Sequence, residues 1–330
     1  MCINDDQTGI LESSYQYGAS PLNAKSRSQP LRTFLFGYPL HNSLAPLLHT
    51  KLFNRLSLPW TYRLMETRDA SQFVPSLRET NVIGCAVTMP YKVSMMSAVD
   101  EVTAEGKIIG AINTVFIRKA QDGRLLYIGT NTDCIGVREA FLQNIPDVLK
   151  HSTGKPGLVI GAGGACRSSI YALWKWLGTN KIYLVNRLES EVSKVIQSLK
   201  VAGFKGELIY VSTLEMAEAL EAPVLVVGTI PDFPPRDEGE ITARKIVTTF
   251  LSKENKGYML EMCYHPNPRT ELFEIATLAG WKVIYGTEAM IYQGVAQQVL
   301  WTEMPVEKLD IKEIKQAIVD IIEKSSQKRG

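Results

Sequence analysis

Gly157–Ser169 reads GLVIGAGGACRSS, an apolar run ending at Val159 and Ile160, then glycines at 161, 163 and 164. Apolar positions at Ile170, Leu173 and Trp176 continue at helical spacing, so the stretch is a strand, a tight turn and a helix start. Glycine lets a backbone turn sharply there and come close to a pyrophosphate, whose charge then meets helix N-terminal N–H groups. Cys166 stands where the usual fingerprint has a third Gly or Ala. A glycine cluster alone also closes turns that hold no ligand. The weight comes from its setting, because KIYLVNR (Lys181–Arg187) supplies the second strand of a βαβ unit. An Asp or Glu at the end of that strand would accept from a ribose 2′-hydroxyl and repel a 2′-phosphate. Here Asn186-Arg187-Leu188-Glu189 follows: Arg187 suits a phosphate or an adenine face, whereas Glu189 opposes a phosphate. The local chemistry leaves both dinucleotides open.

Working outward, ELIYV (Glu207–Val211), PVLVVGT (Pro223–Thr229), GYMLEMC (Gly257–Cys263) and KVIYG (Lys282–Gly286) are further apolar strands between helical segments. This alternation predicts a doubly wound α/β domain over 151–286, entered through Gly154-Lys155-Pro156. Upstream, RTFLFG (Arg32–Gly37) reads as a buried strand, Pro46–Leu56 as a helix and WTYRLM (Trp60–Met65) as a strand. A polar helix runs to Leu77, and NVIGCAVT (Asn81–Thr88) is another buried strand. NTVFIRK and RLLYIGT, joined at Asp122-Gly123, read as a hairpin. Residues 30–150 are therefore expected to form a mostly parallel α/β domain with one antiparallel pair at its edge. Residues 1–29, polar and without periodic apolar positions, are expected to be a mobile tail that joins no core. Residues 287–330 read as helices, with Met290, Gln293 and Gln297 on one face and Ile311, Ile314, Ile318 and Ile321 along another.

Several function classes are disfavoured by composition. The 36 basic and 34 acidic residues are spread along the chain, leaving no basic stripe for nucleic acid. Five scattered cysteines form no CxxC pair, and the nearest histidines, His41 and His49, have no companion ligands, so no metal site is expected. A satisfied or surface histidine is the better reading of each. No run of about 18 apolar residues occurs, so no membrane partner is expected and the reduced cytoplasm is the default compartment.

Two loops place polar groups just after buried strands, where α/β sheets open to ligands: Val87–Lys92 (VTMPYK) and Gly129–Asp133 (GTNTD). Spacing alone does not bring Lys92 to Asp133. Together with FGYPLHNSLAPLLH, GAINTV, GTNTDCIG, VIGAGGACR, LVNR and GTEAMIYQG, however, these segments resemble the shikimate/quinate dehydrogenase family, in the family's order, from about Phe34 to Trp301. VTMPYK, SLAP and KIYLVNR are similar to the fungal quinate dehydrogenases in particular.

The resemblance implies an N-terminal substrate domain, a Rossmann-type dinucleotide-binding domain and C-terminal helices that return to the first. It implies NAD(P)-dependent oxidation of a ring hydroxyl of quinate or shikimate, in a monomer or homodimer. Lys92 and Asp133 would handle the hydroxyl proton; Asn113 and Gln293 would bind ring hydroxyls; Ser43 and Thr88 would bind the substrate carboxylate. Gly161, Ala162, Gly163, Gly164, Ala165, Asn186, Arg187, Gly228, Thr229, Gly286 and Met290 would line the cofactor. Two polar positions of the family are lost, at Ala45 and Ala86, which leaves room for the tetrahedral C1 of quinate. Leu188, where NADP-using members carry Thr or Ser, and Glu189 favour NAD over NADP. The rival readings are a non-catalytic regulatory paralogue that binds the same acids, and a dehydrogenase of a related cyclohexane carboxylic acid.

Overall fold

The computed structural model describes residues 6–41, 43–265 and 267–327. The chain divides into two compact units. The first comprises the described residues through Lys107, Ala111–Thr132 and those from Ile291 onward; the second comprises Ile108–Gly110 and Asp133–Met290.

The first unit is built on six strands: β1 (Arg32–Gly37), β2 (Thr61–Glu66), β3 (Val82–Val87), β4 (Glu101–Val102), β5 (Thr114–Lys119) and β6 (Leu125–Thr130). Their order is β2-β1-β3-β5-β6-β4, and β5 alone runs against its neighbours. The hairpin forms as its Asp-Gly turn predicts, but it lies inside the sheet, not at its edge. The reason is β4, too short to register as a strand in the sequence, which pairs parallel with β6 and takes the edge. Buried Phe34, Phe36, Cys85, Val87 and Val115 sit in a core cluster on one face, and Leu35, Ala86, Phe116 and Ile128 in another, as alternation along a strand requires.

The expectation of a coreless tail is overturned for the described residues of that stretch. A helix spans Asp6–Ser14, Ala19 bridges Lys119, and Ile10, Tyr17 and Leu22 pack on the second of those clusters. Ser14 accepts from Nε of Arg118 at 3.2 Å, Arg27 pairs with Glu303 at 3.1 Å, and the Trp60 indole donates to Arg27 O. These contacts join positions far apart in sequence, so no local period announces them. Residues 1–5 lie outside the described residues.

The second unit carries β7 (Gly157–Ile160), β8 (Lys181–Val185), β9 (Glu207–Tyr210), β10 (Leu225–Gly228), β11 (Tyr258–Glu261) and β12 (Lys282–Tyr285). All pairs are parallel in the order β12-β11-β10-β7-β8-β9, a doubly wound sheet whose order reverses between β7 and β10. Central β7 and β10 are buried throughout, which is why they read as continuous apolar runs. This unit begins at Asp133, not near residue 151 as expected from Gly154-Lys155-Pro156. The helix Asp133–Asn144 is buried from Asp133 to Phe141 and packs against the helix Gly164–Lys175 and against β11 and β12, so it is part of this core.

The last long helices are Gly286–Thr302 and Ile311–Gln327. From Ile291 onward they belong to the first unit, where the second packs on the helix Ala45–Arg55 and buries Ile311, Ile314 and Ile318. The side chain of Ile321 lies outside the described residues. Among the described residues no helix is long and apolar enough to cross a membrane.

Candidate functional site

In the first unit the candidate residues converge because strand ends do. Thr88 follows β3 and donates its N–H to Phe36 O at 2.9 Å, beside the end of β1. Four residues on, the Lys92 carbonyl accepts from Ile112 N at 2.7 Å, which sets Lys92 next to the residue before Asn113. Antiparallel β5 starts where its neighbours end, so Asn113 meets the segment leaving β6. The side chain of Asn113 is held on both of its atoms. Its Oδ1 accepts from Thr132 N at 2.6 Å and Thr114 Oγ1 at 2.9 Å, and its Nδ2 donates to Thr132 Oγ1 at 3.0 Å and Gln293 Oε1 at 3.2 Å. The helix Gly286–Thr302 supplies Gln293. Ser43 lies in the loop between β1 and the helix Ala45–Arg55, its Oγ accepting from Ala45 N at 3.3 Å. Ala45 and Ala86 are buried, and Ala86 pairs across the sheet with Thr114. Of the predicted first-unit residues, Asn113 and Gln293 are directly bonded and Lys92 and Thr88 adjoin them in the same strand-end region.

Asp133 opens the second unit at the head of its first long helix and is buried there. Every predicted cofactor residue of this unit lies at or after the carboxyl end of a parallel strand, or on the helix that follows β12. Gly161 has φ +117°, and a Cβ there would lie 2.5 Å from Thr229 Oγ1, so only glycine fits where β7 and β10 diverge. Thr229 in turn donates its hydroxyl to Ile160 O at 2.6 Å, tying the two strand ends together. Gly163 is the N-cap of the helix Gly164–Lys175 and provides no side-chain cap, so first-turn N–H groups lack that partner. A Cβ at Gly163 would meet nothing within 4 Å, so the turn leaves open space at a helix N-terminus. That is the space and the donor set a pyrophosphate needs. Cys166 is fully buried behind the turn, and burial pushes its thiol up to about 12. It serves as a small packing residue.

After β8, the Asn186 amide donates to Glu191 Oε2 at 2.7 Å. Arg187 is ion-paired with Glu240 at 2.5 Å, and Glu240 also accepts from Arg236 N at 2.8 Å. Gly286 approaches the backbone at Glu261 and Met262 so closely that a Cβ would lie 2.4 Å from Met262 O. Met290 is buried farther along the same helix.

Several residues around these sites escaped the sequence reading. Glu240 belongs to a helix fifty-odd positions beyond Arg187 and gave no local signal. Thr132 lies in the loop Gly129–Asp133, where spacing alone gives it no role. Glu261 did carry a signal: it is a lone carboxyl in the apolar run YMLEMC. It is buried at the end of β11 against Gly228, with Oε1 accepting from Cys263 N at 3.1 Å and no hydrogen-bond partner for Oε2 among the described residues. Desolvation pushes its pKa up to about 8; the Cys263 N–H bond and Arg244 oppose the shift and Asp232 adds to it. The folded chain thus keeps a proton that an unfolded chain loses above its ordinary 4.5, so stability falls as pH climbs from about 4.5 to 8 and levels off beyond. At ~1.36 kcal/mol per unit the loss is a few kcal/mol. Glu261→Gln is expected to flatten this decline, matching the parent near pH 5 and exceeding it near pH 9 in thermal unfolding. Parallel curves for the two proteins would contradict the assignment.

Comparison with known proteins adds a second line. The family described as "Shikimate dehydrogenase substrate binding domain" matches residues 35–115. A quinate dehydrogenase of Emericella nidulans is 45% identical over 285 residues, covering 82% of this chain and 87% of that protein. Among solved structures, the dehydroquinate dehydratase and shikimate dehydrogenase from S. pombe AroM is 31% identical with a TM-score of 0.70, over 88% of this chain and 53% of that one. The shikimate 5-dehydrogenase from Thermus thermophilus in complex with NADP(H) and shikimate is 26% identical with a TM-score of 0.66, over 87% of this chain and 99% of that one.

Proposed function

This chain belongs to the shikimate/quinate dehydrogenase family, and we propose that it transfers hydride reversibly between a nicotinamide dinucleotide and a ring hydroxyl of quinate or shikimate. The observation that carries the reading is the uncapped helix N-terminus at Gly163, opening where the order of the parallel sheet reverses. The products are 3-dehydroquinate from quinate and 3-dehydroshikimate from shikimate. When bound, the dinucleotide supplies the hydride acceptor or donor. Gly161, Ala162, Gly163, Gly164 and Ala165 hold its pyrophosphate, Asn186 and Arg187 flank the adenosine ribose, and Gly228, Thr229, Gly286 and Met290 border the remainder.

Lys92 and Asp133 take the proton from the reacting hydroxyl in oxidation and return it in reduction. Asn113 and Gln293 fix the ring hydroxyls, and Ser43 and Thr88 bind the carboxylate. Ala45 and Ala86 replace polar contacts by small apolar ones, which favours quinate, whose tetrahedral C1 bears one more hydroxyl than shikimate. Initial rates with quinate and shikimate, each with NAD and NADP, test the reading at the reduced-nicotinamide absorbance. The expected result is turnover with a higher kcat/KM for quinate. No turnover with either acid and either cofactor would overturn it, and binding without turnover would mark a regulator.

The preferred cofactor is NAD. Arg187, a cation placed to greet a 2′-phosphate, is already paired with Glu240, and Glu189 and Glu191 stand close by in sequence and helix. A 2′-phosphate would bring further negative charge to this group. Glu240→Gln releases Arg187 and is expected to raise kcat/KM for NADP about tenfold while leaving that for NAD within about threefold, since one charge-assisted contact is worth ~1.5 kcal/mol. An unchanged NADP-to-NAD ratio would remove Glu240 from cofactor choice.

A further inference from the structure

We infer that His49 and Gln297 are positioning residues that brace, through Thr114, the Asn113 amide and with it the atom that Gln293 presents to the substrate. The inference rests on the functional reading above. Both residues are buried, and neither belongs to the set assigned to substrate or cofactor. His49 Nε2 lies 3.1 Å from Gln297 Oε1 and its Nδ1 lies 3.0 Å from Gln298 Oε1. Its ring is stacked on Tyr62 at 4.3 Å and wedged by Trp301 at 5.1 Å, so it has one orientation.

The hydrogen bonds then run in one direction. Gln297 Nε2 donates to Thr114 Oγ1 at 2.9 Å, which leaves Gln297 Oε1 as the acceptor facing His49. A neutral imidazole has one donor and one acceptor nitrogen, so Nε2 carries the proton and Nδ1 accepts. The Gln298 amide, whose Oε1 faces Nδ1 while its Nε2 lacks a hydrogen-bond partner among the described residues, would meet that demand with its two ends exchanged. Burial holds the imidazole neutral, its pKa lowered to about 4, so the direction survives across the working pH range. Thr114, having accepted from Gln297, donates onward to Asn113 Oδ1 at 2.9 Å. With Oδ1 filled by Thr114 and by Thr132 N, Asn113 turns Nδ2 toward Gln293 Oε1. Gln293 therefore has its oxygen committed inward and keeps Nε2 as the far end of the amide, a donor suited to a ring hydroxyl oxygen.

Without this chain Asn113 Oδ1 loses the Thr114 donor and keeps those of Thr132, and its amide is held less firmly against Gln293. The test uses Gln297→Met, close in size but unable to donate or accept, and Thr114→Val, which removes the transmitting hydroxyl and keeps the shape. Steady-state constants for quinate and NAD are measured alongside the rise in Tm produced by quinate alone and by NAD alone. Both variants are expected to raise KM for quinate about fivefold or more, the effect of one hydrogen bond of ~1 kcal/mol. They are expected to lose most of the quinate-induced Tm shift and to keep KM for NAD and the NAD-induced shift within about twofold. Two results would overturn the inference: folded variants with parental quinate constants, or variants that lose quinate and NAD binding alike or yield no folded protein, as a purely structural role requires. A parent that neither turns over nor is stabilised by quinate or shikimate would instead sink the functional reading.

Discussion

Lys92→Ala is expected to lower kcat for quinate oxidation by about 10²–10⁴-fold, the usual contribution of a positioned acid or base. The hydride departs only as the hydroxyl proton is taken up, so removing the proton carrier slows chemistry more than binding. Quinate should still raise the Tm of the variant, because Ser43, Thr88, Asn113 and Gln293 are untouched. The fold should survive as well: the Lys92 contact that organises the region is its backbone carbonyl bond from Ile112 N, which alanine retains. A variant with more than a tenth of parental kcat, measured where hydride transfer limits the rate, would take Lys92 out of the chemistry. Asp133→Asn provides the companion measurement from the second unit, with a loss in kcat and retained cofactor binding as its expected result.

The largest effect on stability is expected far from the chemistry. Arg118 and Glu303 form an ion pair at 3.2 Å with side chains only 1% and 3% exposed. The guanidinium lies 4.9 Å from the ring centres of both Tyr15 and Phe116, and Glu303 also takes Arg27 and the Ser20 hydroxyl. Burial lowers the pKa of Arg118 and Glu303 counters it, so the acid is what keeps this cation tolerable in the interior. Glu303→Gln leaves the charge without its counterion and is expected to cost about 3 kcal/mol or more, as breaking buried pairs does. The same change should loosen the segment around Ser14–Arg27, so limited proteolysis within it should quicken while cofactor-induced stabilisation is kept. An unfolding midpoint and cleavage pattern equal to the parent's would show that the pair contributes nothing net.

Most of the strands and long helices were legible in the sequence because their signals are local. Alternation and apolar runs gave the strands, and the final helix followed from isoleucines spaced for one face. The resemblance to a family then named the candidate site residues, of which Asn113 and Gln293 are hydrogen-bonded to each other. Three misreadings share one cause. The N-terminal segment, the edge strand β4 and the start of the second unit at Asp133 are all decided by partners distant in the chain. Gly154-Lys155-Pro156 looks like a boundary because it is a turn, yet the helix Asp133–Asn144 upstream of it packs against β11, β12 and the helix of the glycine turn. Glu261 shows the intermediate case: the sequence shows a carboxyl in an apolar run, and only packing shows that it is buried with one oxygen lacking a hydrogen bond among the described residues.

By itself, the sequence determined the two α/β sheets and the glycine turn at Gly161–Gly164, since backbone preference and side-chain period act between near neighbours. Tertiary structure alone decided which groups meet: Glu240 with Arg187 at the surface, and Glu303 with Arg118 and His49 with Gln297 in the interior. The physical reason is that charge pairing and hydrogen-bond direction depend on distance in space, and residues up to 283 positions apart come within about 3 Å only after folding.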